Sequence, residues 1–183
     1  MKKGAALRSM TRIIDKEEIY LRLIEEEYKN QLSKYETLVV KDIEKFKTDF
    51  KSKIRQIILE EERTSHEVDI EIITSAELNI GLESGYDGTA VYLNFIHKNT
   101  DELFIISQGS QDTKDWEYNA KSMLAGINTD QAHDTMNFID SVKYKFDIGY
   151  DTPVIGLAHS LAHNNNLTSQ LISANFDELY SVN

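Results

Sequence analysis

One serine, Ser160, closes a short apolar run at residues 153–158 and has small neighbours, Ala158 and Ala162, two positions away on each side. A nucleophilic serine at a sharp turn between a strand and a helix needs such neighbours, because the strained turn lifts its hydroxyl clear of the sheet. The N–H groups at the start of the following helix can then stabilise an oxyanion. The spacing predicts a serine nucleophile, although an ordinary strand-to-helix turn has the same pattern.

A second polar element follows another apolar run about fifty residues earlier, in "LFIISQGSQDTKDWEYN" at residues 103–119. A strand that ends in Gln-Gly-Ser, followed by polar residues and an Asp-Trp-x-x-Asn segment, resembles the class 3 lipases, the fungal-type lipases of the α/β-hydrolase fold. Their nucleophile region is Gly-His-Ser-Leu-Gly-Gly, which this chain matches at His159, Ser160 and Leu161. The resemblance covers about residues 67–183 and leaves the preceding segment unexplained.

The resemblance implies hydrolysis of a carboxylic ester, most naturally a lipid, with Ser160 as the nucleophile and no cofactor. Ser110 matches the residue whose backbone N–H lines the oxyanion hole, and the Leu161 N–H would be the second donor. Trp116 matches a packing residue of the family, and Asn119 matches a polar residue that braces the oxyanion loop.

The chain departs from the family pattern around both elements. Ala158 and Ala162 replace the two glycines of the turn, and Gln108 stands where the family usually has arginine. The segment after the serine opens with His163 and three asparagines at 164–166, where the family has small apolar residues. Because asparagine is a poor helix former, we expect a loose, wet start to this helix.

The triad is the larger departure, because in this fold the acid and the histidine follow the serine in chain order. After Ser160 the acidic residues are Asp177 and Glu178, and the one histidine is His163, which would lie beside the serine and not opposite it. His159 directly precedes the serine and is expected to pack beneath the turn. The other histidines come too early for this order: His66, His97 and His133.

Two hypotheses follow, and whether the chain is an enzyme stays open between them. In the first, residues 1–183 are the N-terminal piece of a longer serine hydrolase whose acid and histidine lie beyond Asn183. In the second, the chain is complete, has lost hydrolysis and binds a protein partner through a long N-terminal helix.

That helix is predicted by an apolar stripe in a stretch with no glycine between Gly4 and Gly81. The stripe repeats every eleven residues, about 3.67 per turn, which keeps it on one face of a nearly straight helix. We therefore predict one long helix, or two nearly collinear ones, over about residues 15–63. It either packs along the following domain or pairs with a partner or a second copy, as in a coiled coil; binding to a membrane surface is the lesser alternative. The stripe consists of Leu21, Ile24, Tyr28, Leu32, Tyr35, Val39, Ile43, Phe46, Phe50, Ile54 and Ile57.

From residue 67 the apolar period changes to that of strands alternating with helices. Strands are predicted in "EVDIEII", "TAVYLNFIH", "ELFIIS", "PVIGLA" and "ELYSVN", and helices in "QAHDTMNFIDSVKYKF" and from Leu161 onward. The pattern predicts an α/β fold, an incomplete hydrolase-like and mostly parallel sheet. Two parts result, a helical segment at 1–66 and an α/β-hydrolase-like domain at 67–183, truncated under the first hypothesis.

Composition narrows the function classes. Residues 1–66 hold 15 basic and 13 acidic residues, residues 67–183 hold 5 and 18, and the net charge is −11. An acidic protein of this kind disfavours nucleic acid, since phosphates repel it. The chain has no cysteine, and no histidine pair has a carboxylate at ligand spacing, so no metal site is predicted. With no apolar run long enough for a membrane span or a signal peptide, a cytoplasmic location is expected.

Overall fold

The computed structural model describes residues 17–29, 43–62, 68–96, 100–108, 129–159 and 162–182. The predicted strands and the two helices after residue 67 are confirmed, with boundaries shifted by a few residues. In chain order the elements are α1 (17–29), α2 (Ile43–Glu62), β1 (Val68–Thr74), a 3-10 turn (Ala76–Leu78), β2 (Gly88–Phe95), β3 (Thr100–Ser107), α3 (Thr129–Lys145), β4 (Val154–His159), α4 (Ala162–Ser173) and β5 (Glu178–Val182).

The five strands form one sheet in the order β1-β2-β3-β4-β5. The α/β class is confirmed, but the prediction of a mostly parallel sheet is wrong. The pairings β1–β2 and β2–β3 are antiparallel, and only β3–β4 and β4–β5 are parallel. A parallel pair needs a crossover of a dozen or more residues, usually a helix, and the short connection from β2 to β3 cannot provide one.

Helices α3 and α4 cover one face of the sheet. Because β3, β4 and β5 follow one another in a single direction, right-handed crossovers place both connecting helices on the same side. The buried apolar residues on this face are Ile73, Tyr86, Ala90, Leu103, Ile105, Phe138, Ile139, Val142, Val154 and Phe176.

Helices α1 and α2 cover the opposite face, so the expectation that the apolar stripe packs on the following strands is confirmed for its described part. Leu32, Tyr35 and Val39 lie outside the described residues. Four stripe residues, Ile24, Phe50, Ile54 and Ile57, are at most 2% exposed. The hypothesis that a partner or a second copy binds through residues 21–57 is therefore wrong for this part of the stripe, because the chain's own sheet covers it. The strand residues beneath are Ile70, Ile72, Val91, Leu93, Phe104, Ile106, Ile155 and Leu157.

The prediction of one long helix, or of two collinear ones, is wrong. The guanidinium of Arg22 donates to the Glu60 carboxylate at 2.8 Å, although the two residues are 38 positions apart. In one straight helix they would be about 57 Å apart at 1.5 Å per residue. A straight helix would also leave part of its apolar stripe in water, whereas two helices side by side bury theirs on one sheet face.

The two helices run in opposite directions across the sheet. On α1, the Tyr20 hydroxyl donates to Glu178 at the start of β5, and Glu27 accepts a hydrogen bond from Thr89, which pairs with Ile106 near the end of β3. Helix α1 therefore runs toward the edge where the parallel strands end, which we call the carboxyl edge.

Helix α2 runs away from that edge. The Lys47 ammonium forms an ion pair with the Glu77 carboxylate, just beyond the carboxyl end of β1. The Lys51 ammonium nitrogen lies 3.6 Å from a carboxylate oxygen of Glu71, within that strand. The predicted domain boundary between residues 66 and 67 lies outside the described residues and stays a prediction. The helices before it and the strands after it contribute side chains to one hydrophobic cluster. No helix in the described ranges is both long and apolar enough to cross a bilayer.

Candidate active site at the carboxyl edge

Strand pairing brings the two predicted site elements to neighbouring positions. Strands β3 and β4 are parallel neighbours, and Ser107 pairs with Ala158 near their ends. The segment with Ser110 begins directly after β3, and Ser160 directly follows β4, so both elements begin at the same edge on adjacent strands. Helix α4 begins at Ala162, which confirms the strand before the serine and the helix after it.

Several predicted site residues lie outside the described residues: Ser110, Trp116, Asn119, Ser160 and Leu161. Their roles in nucleophilic attack, in the oxyanion hole and in bracing its loop stay predictions. The structure does describe the residues that immediately precede both elements, Gln108 and His159.

His159 is the last residue of β4, is partly buried, and faces the side covered by α1. Its ring lies 4.6 Å from the ring of Tyr28 at an interplanar angle of 41°. Tyr28 is 40% exposed, so the pair lies at the surface end of the helix–sheet interface. Sequence reasoning anticipated that His159 packs, but it missed this partner.

Glu27, the residue before Tyr28, is fully buried. Its carboxylate accepts a hydrogen bond from the Thr89 hydroxyl at 2.7 Å, and its backbone carbonyl accepts one from the Gln108 side-chain amide at 3.1 Å. Gln108 thus ties the end of β3 to α1. Nothing in the sequence singled out Glu27, because the acidic run 25–27 is typical of a solvated helix surface.

On the other face of the sheet, Asn166 joins the ends of β3 and β4 to α4. Its amide oxygen accepts a hydrogen bond from the Ser107 hydroxyl at 2.8 Å, and its amide nitrogen lies 3.5 Å from the carbonyl of Leu157. The Tyr86 hydroxyl lies 3.4 Å from that of Ser107. Burial raises the pKa of Tyr86 well above its ordinary value, so its hydroxyl remains neutral.

A second chain of polar contacts extends this network to α3. The side-chain amide of Asn165 donates to Gln131 at 2.7 Å, and Gln131 donates to the carbonyl of Ser84 at 2.8 Å. The Ser84 hydroxyl in turn donates to Asp134 at 2.5 Å. The expectation of a loose, wet start to α4 is therefore wrong for Asn165 and Asn166, which find specific partners that a small apolar residue would lack.

The two acidic residues that follow the serine lie at the opposite edge of the sheet. Asp177 accepts a hydrogen bond from the backbone N–H of Val154 at 2.8 Å, at the start of β4, and Glu178 accepts one from Tyr20. At about 3.3 Å per residue, the start and end of β4 are roughly 16 Å apart. Neither carboxylate can therefore orient a base beside the serine.

His163, the histidine that follows the serine, lies in the first turn of α4 and is partly buried. Its Nδ1 is buried and has no hydrogen-bond partner among the described residues. Within those residues, no group of three histidine, aspartate or glutamate side chains is placed to hold a metal ion. The described residues at this edge thus include amides and hydroxyls around two strand ends and a helix start, together with the buried Glu27 carboxylate.

The comparisons with known proteins identify a family without assigning an activity. An uncharacterized protein, YvcB, of Bacillus subtilis (strain 168) is 39% identical over 183 residues; the match covers 93% of this chain and 28% of that protein. The chain thus spans little more than a quarter of the length of this relative. No solved structure matches the chain. A family model matches residues 18–183, and the chain therefore belongs to the family described as domain of unknown function DUF6792.

Proposed function

We propose that this chain is the nucleophile-bearing part of a lipase-like serine hydrolase that cleaves carboxylic esters. The observation that supports it most is the adjacency of β3 and β4: the Ser107–Ala158 pairing starts the Gln-Gly-Ser and Ala-His-Ser-Leu-Ala elements side by side at one edge. An oxyanion donor and a nucleophile must lie within a few ångströms of one carbonyl group, and two elements that start from neighbouring strand ends are compatible with that requirement.

In this proposal the Ser160 hydroxyl attacks the ester carbonyl, and its proton leaves to a base. The carbonyl oxygen becomes an oxyanion held by the backbone N–H groups of Ser110 and Leu161. Removal of one such donor typically costs about 2.7–4 kcal/mol of transition-state stabilisation. Helix α4 has no acidic residue in its first turn, so no carboxylate there opposes the negative charge that its N-terminus would stabilise.

Among the described residues that follow the serine in the chain, none is in a suitable position to act as the base. Asp177 and Glu178 are held at the opposite edge of the sheet, and His163, three positions after the serine in the sequence, lies in the first turn of α4. A neutral serine hydroxyl is a weak nucleophile until a base removes its proton. We therefore propose that additional polypeptide supplies the histidine and acid, as the much greater length of YvcB would permit. The lipid nature of the ester comes from the class 3 lipase resemblance.

A fluorophosphonate probe on the purified 183-residue chain tests the proposal, with the adduct at each serine quantified by peptide mass spectrometry. An oxyanion hole without its triad leaves a residual effect of about 10³–10⁴ over water. We expect slow labelling of Ser160 that free imidazole, an added base, accelerates. Ser173, which lies on the exposed side of α4, is the control and should label only at background.

Two results would change this view. Equal labelling of Ser160 and Ser173 would refute the assignment of the nucleophile. Rapid labelling without imidazole, abolished by Ser160→Ala, would show that the chain already holds a base and would refute the incomplete triad.

The second candidate function is an inactive module that binds a protein partner, now through α4 and not through the buried stripe. Helix α4 has no charged residue in either terminal turn and exposes Leu167, Leu171 and Ile172 at 41%, 79% and 53%. The reading frame after Asn183 separates the two candidates at little cost. An aspartate and a histidine within about 150 further residues, one domain length, favour the hydrolase, and a stop codon favours the module.

A further inference from the structure

We infer that helix α1 is a positioning element of this site: Glu27 and Tyr28 hold the residues from which the two site segments start. The inference rests on the proposed function and extends it to a part of the chain outside the lipase resemblance.

The geometric basis is that two consecutive residues of α1 contact both strand ends. The Glu27 carbonyl accepts a hydrogen bond from Gln108, two residues before Ser110, at 3.1 Å. The Tyr28 ring lies 4.6 Å from the ring of His159, which directly precedes the predicted nucleophile. A shift of this helical turn would therefore move the starting points of both segments relative to each other.

The burial of Glu27 explains why this turn of α1 has a fixed place. Removing a carboxylate from water costs several kcal/mol unless hydrogen bonds compensate. Glu27 is 0% exposed and accepts the Thr89 hydroxyl at 2.7 Å. Apolar packing alone, as at Leu23 and Ile24, tolerates small slips because it is not directional. The carboxylate thus fixes how far α1 lies along the sheet.

The contact between Tyr28 and His159 has little to contribute to stability, because the tyrosine is 40% exposed. The contact can still affect the rate of the proposed reaction at Ser160. A displacement of about 1 Å between reacting groups can cost about 10²-fold in rate. Loss of the Tyr28 ring should therefore slow the chemistry at Ser160 far more than it lowers the melting temperature.

The test uses the full 183-residue chain and the fluorophosphonate probe with imidazole. Two variants target the two contacts: Tyr28→Ala removes the ring, and Gln108→Met keeps the side-chain length but lacks the donor to the Glu27 carbonyl. Tyr28→Phe restores the ring. Tyr144→Ala is the matched control, because Tyr144 is 91% exposed near the end of α3. For each variant, the maximal labelling rate, the half-saturating probe concentration and the melting temperature are measured.

We expect Tyr28→Ala and Gln108→Met to lower the maximal labelling rate about tenfold or more. A loss of that size corresponds to a displacement of a fraction of an ångström between the reacting groups. The half-saturating concentration should be unchanged, and Tyr28→Phe and Tyr144→Ala should label like the unmodified chain. Unchanged rates in Tyr28→Ala and Gln108→Met, with Ser160 still labelled selectively, would overturn the inference and leave the proposed function standing. A loss of rate that follows the melting temperature and is not restored by Tyr28→Phe would reduce α1 to a structural role and also overturn it. If Ser160 is not labelled selectively in the unmodified chain, the proposed function fails and the inference fails with it.

Discussion

Replacement of Asn166 by alanine should destabilise the protein by removing the side chain that links β3, β4 and α4. Asn166 is 1% exposed, and Ser107, whose hydroxyl donates to it, is also 1% exposed. After the substitution, the Ser107 hydroxyl stays buried without this acceptor. Water cannot replace the lost partner unless it enters the space that the amide leaves.

The expected loss of stability follows from the two contacts. A buried polar group that loses its partner costs about 1–3 kcal/mol. The Tyr86 hydroxyl at 3.4 Å offers Ser107 an alternative, and the second contact, from the Asn166 amide to the Leu157 carbonyl, is long at 3.5 Å. Both facts favour the middle of that range. A loss of about 2 kcal/mol in a domain of this size lowers the melting temperature by about 4–8 °C.

The assay is thermal and urea unfolding, followed by circular dichroism. Asn164→Ala is the matched control, because Asn164 lies in the same helix but is exposed. Alanine is the better helix former, so this variant should be unchanged or slightly more stable. A double-mutant cycle with Ser107→Ala should give a coupling energy of about 1 kcal/mol, within the range for residues in contact. Equal melting temperatures for the two asparagine variants, or additive effects in the cycle, would refute the linking role of Asn166.

Two further predictions concern the helix pair and the tyrosines. Spin labels at Arg22→Cys and Glu60→Cys are simple to introduce because the chain has no cysteine. For helices packed about 8–10 Å apart, the two labels should give an electron–electron distance of about 10–25 Å. A distance peak at about 57 Å would instead indicate one straight helix. Burial, and then the hydrogen bond to Asp101 and its charge, raise the pKa of Tyr92 from 10.0 to about 12. Because the folded state keeps this proton longer than the unfolded chain, its stabilising effect is present below pH 10 and is lost as the pH rises toward 12. Absorbance titration at alkaline pH should therefore show earlier ionisation of Tyr92 in Asp101→Asn, and identical titration curves would contradict the role of Asp101.

The strands were predictable because burial imposes a local period that the sequence displays. In β1, Ile70 and Ile72 are buried on the α1–α2 face, while the neighbouring Asp69 and Glu71 are exposed. In β4, five consecutive residues are buried, as expected for a central strand covered by helices on both faces. Neither pattern depends on distant parts of the chain.

The direction of the helical segment was not predictable in the same way. An apolar period shows which face of a helix is buried, but it does not show whether the chain reverses between two helices. Here α1 and α2 bury their apolar faces on the same side of the sheet. Ile24 and Ile54 therefore belong to one hydrophobic cluster, although their helices run in opposite directions. The usual turn signals, glycine and proline, do not occur between Gly4 and Gly81.

Strand order was partly accessible. The alternation of strands and helices after residue 67 suggested a mostly parallel sheet, whereas β1–β2 and β2–β3 pair antiparallel. The site was likewise accessible only in part. The strand before Ser160 and the helix after it followed from local pattern, whereas the contact between Gln108 and Glu27 joins residues 81 positions apart and leaves no local signal.

The positions of the acidic side chains indicate which catalytic group the proposed hydrolase still requires. The acidic residues after the serine act at the opposite edge, where Asp177 holds the start of β4. At the carboxyl edge, the side chains that link the strand ends to the helices, Gln108 and Asn166, are neutral amides. An oxyanion is stabilised by neutral donors and opposed by nearby carboxylates, and the buried Glu27 carboxylate at this edge accepts the Thr89 hydroxyl. We therefore expect the proposed oxyanion donors to be the backbone N–H groups after β3 and at the start of α4. A proton acceptor is the complementary requirement, and a segment that completes the enzyme has to bring an imidazole to the carboxyl edge, where α4 begins.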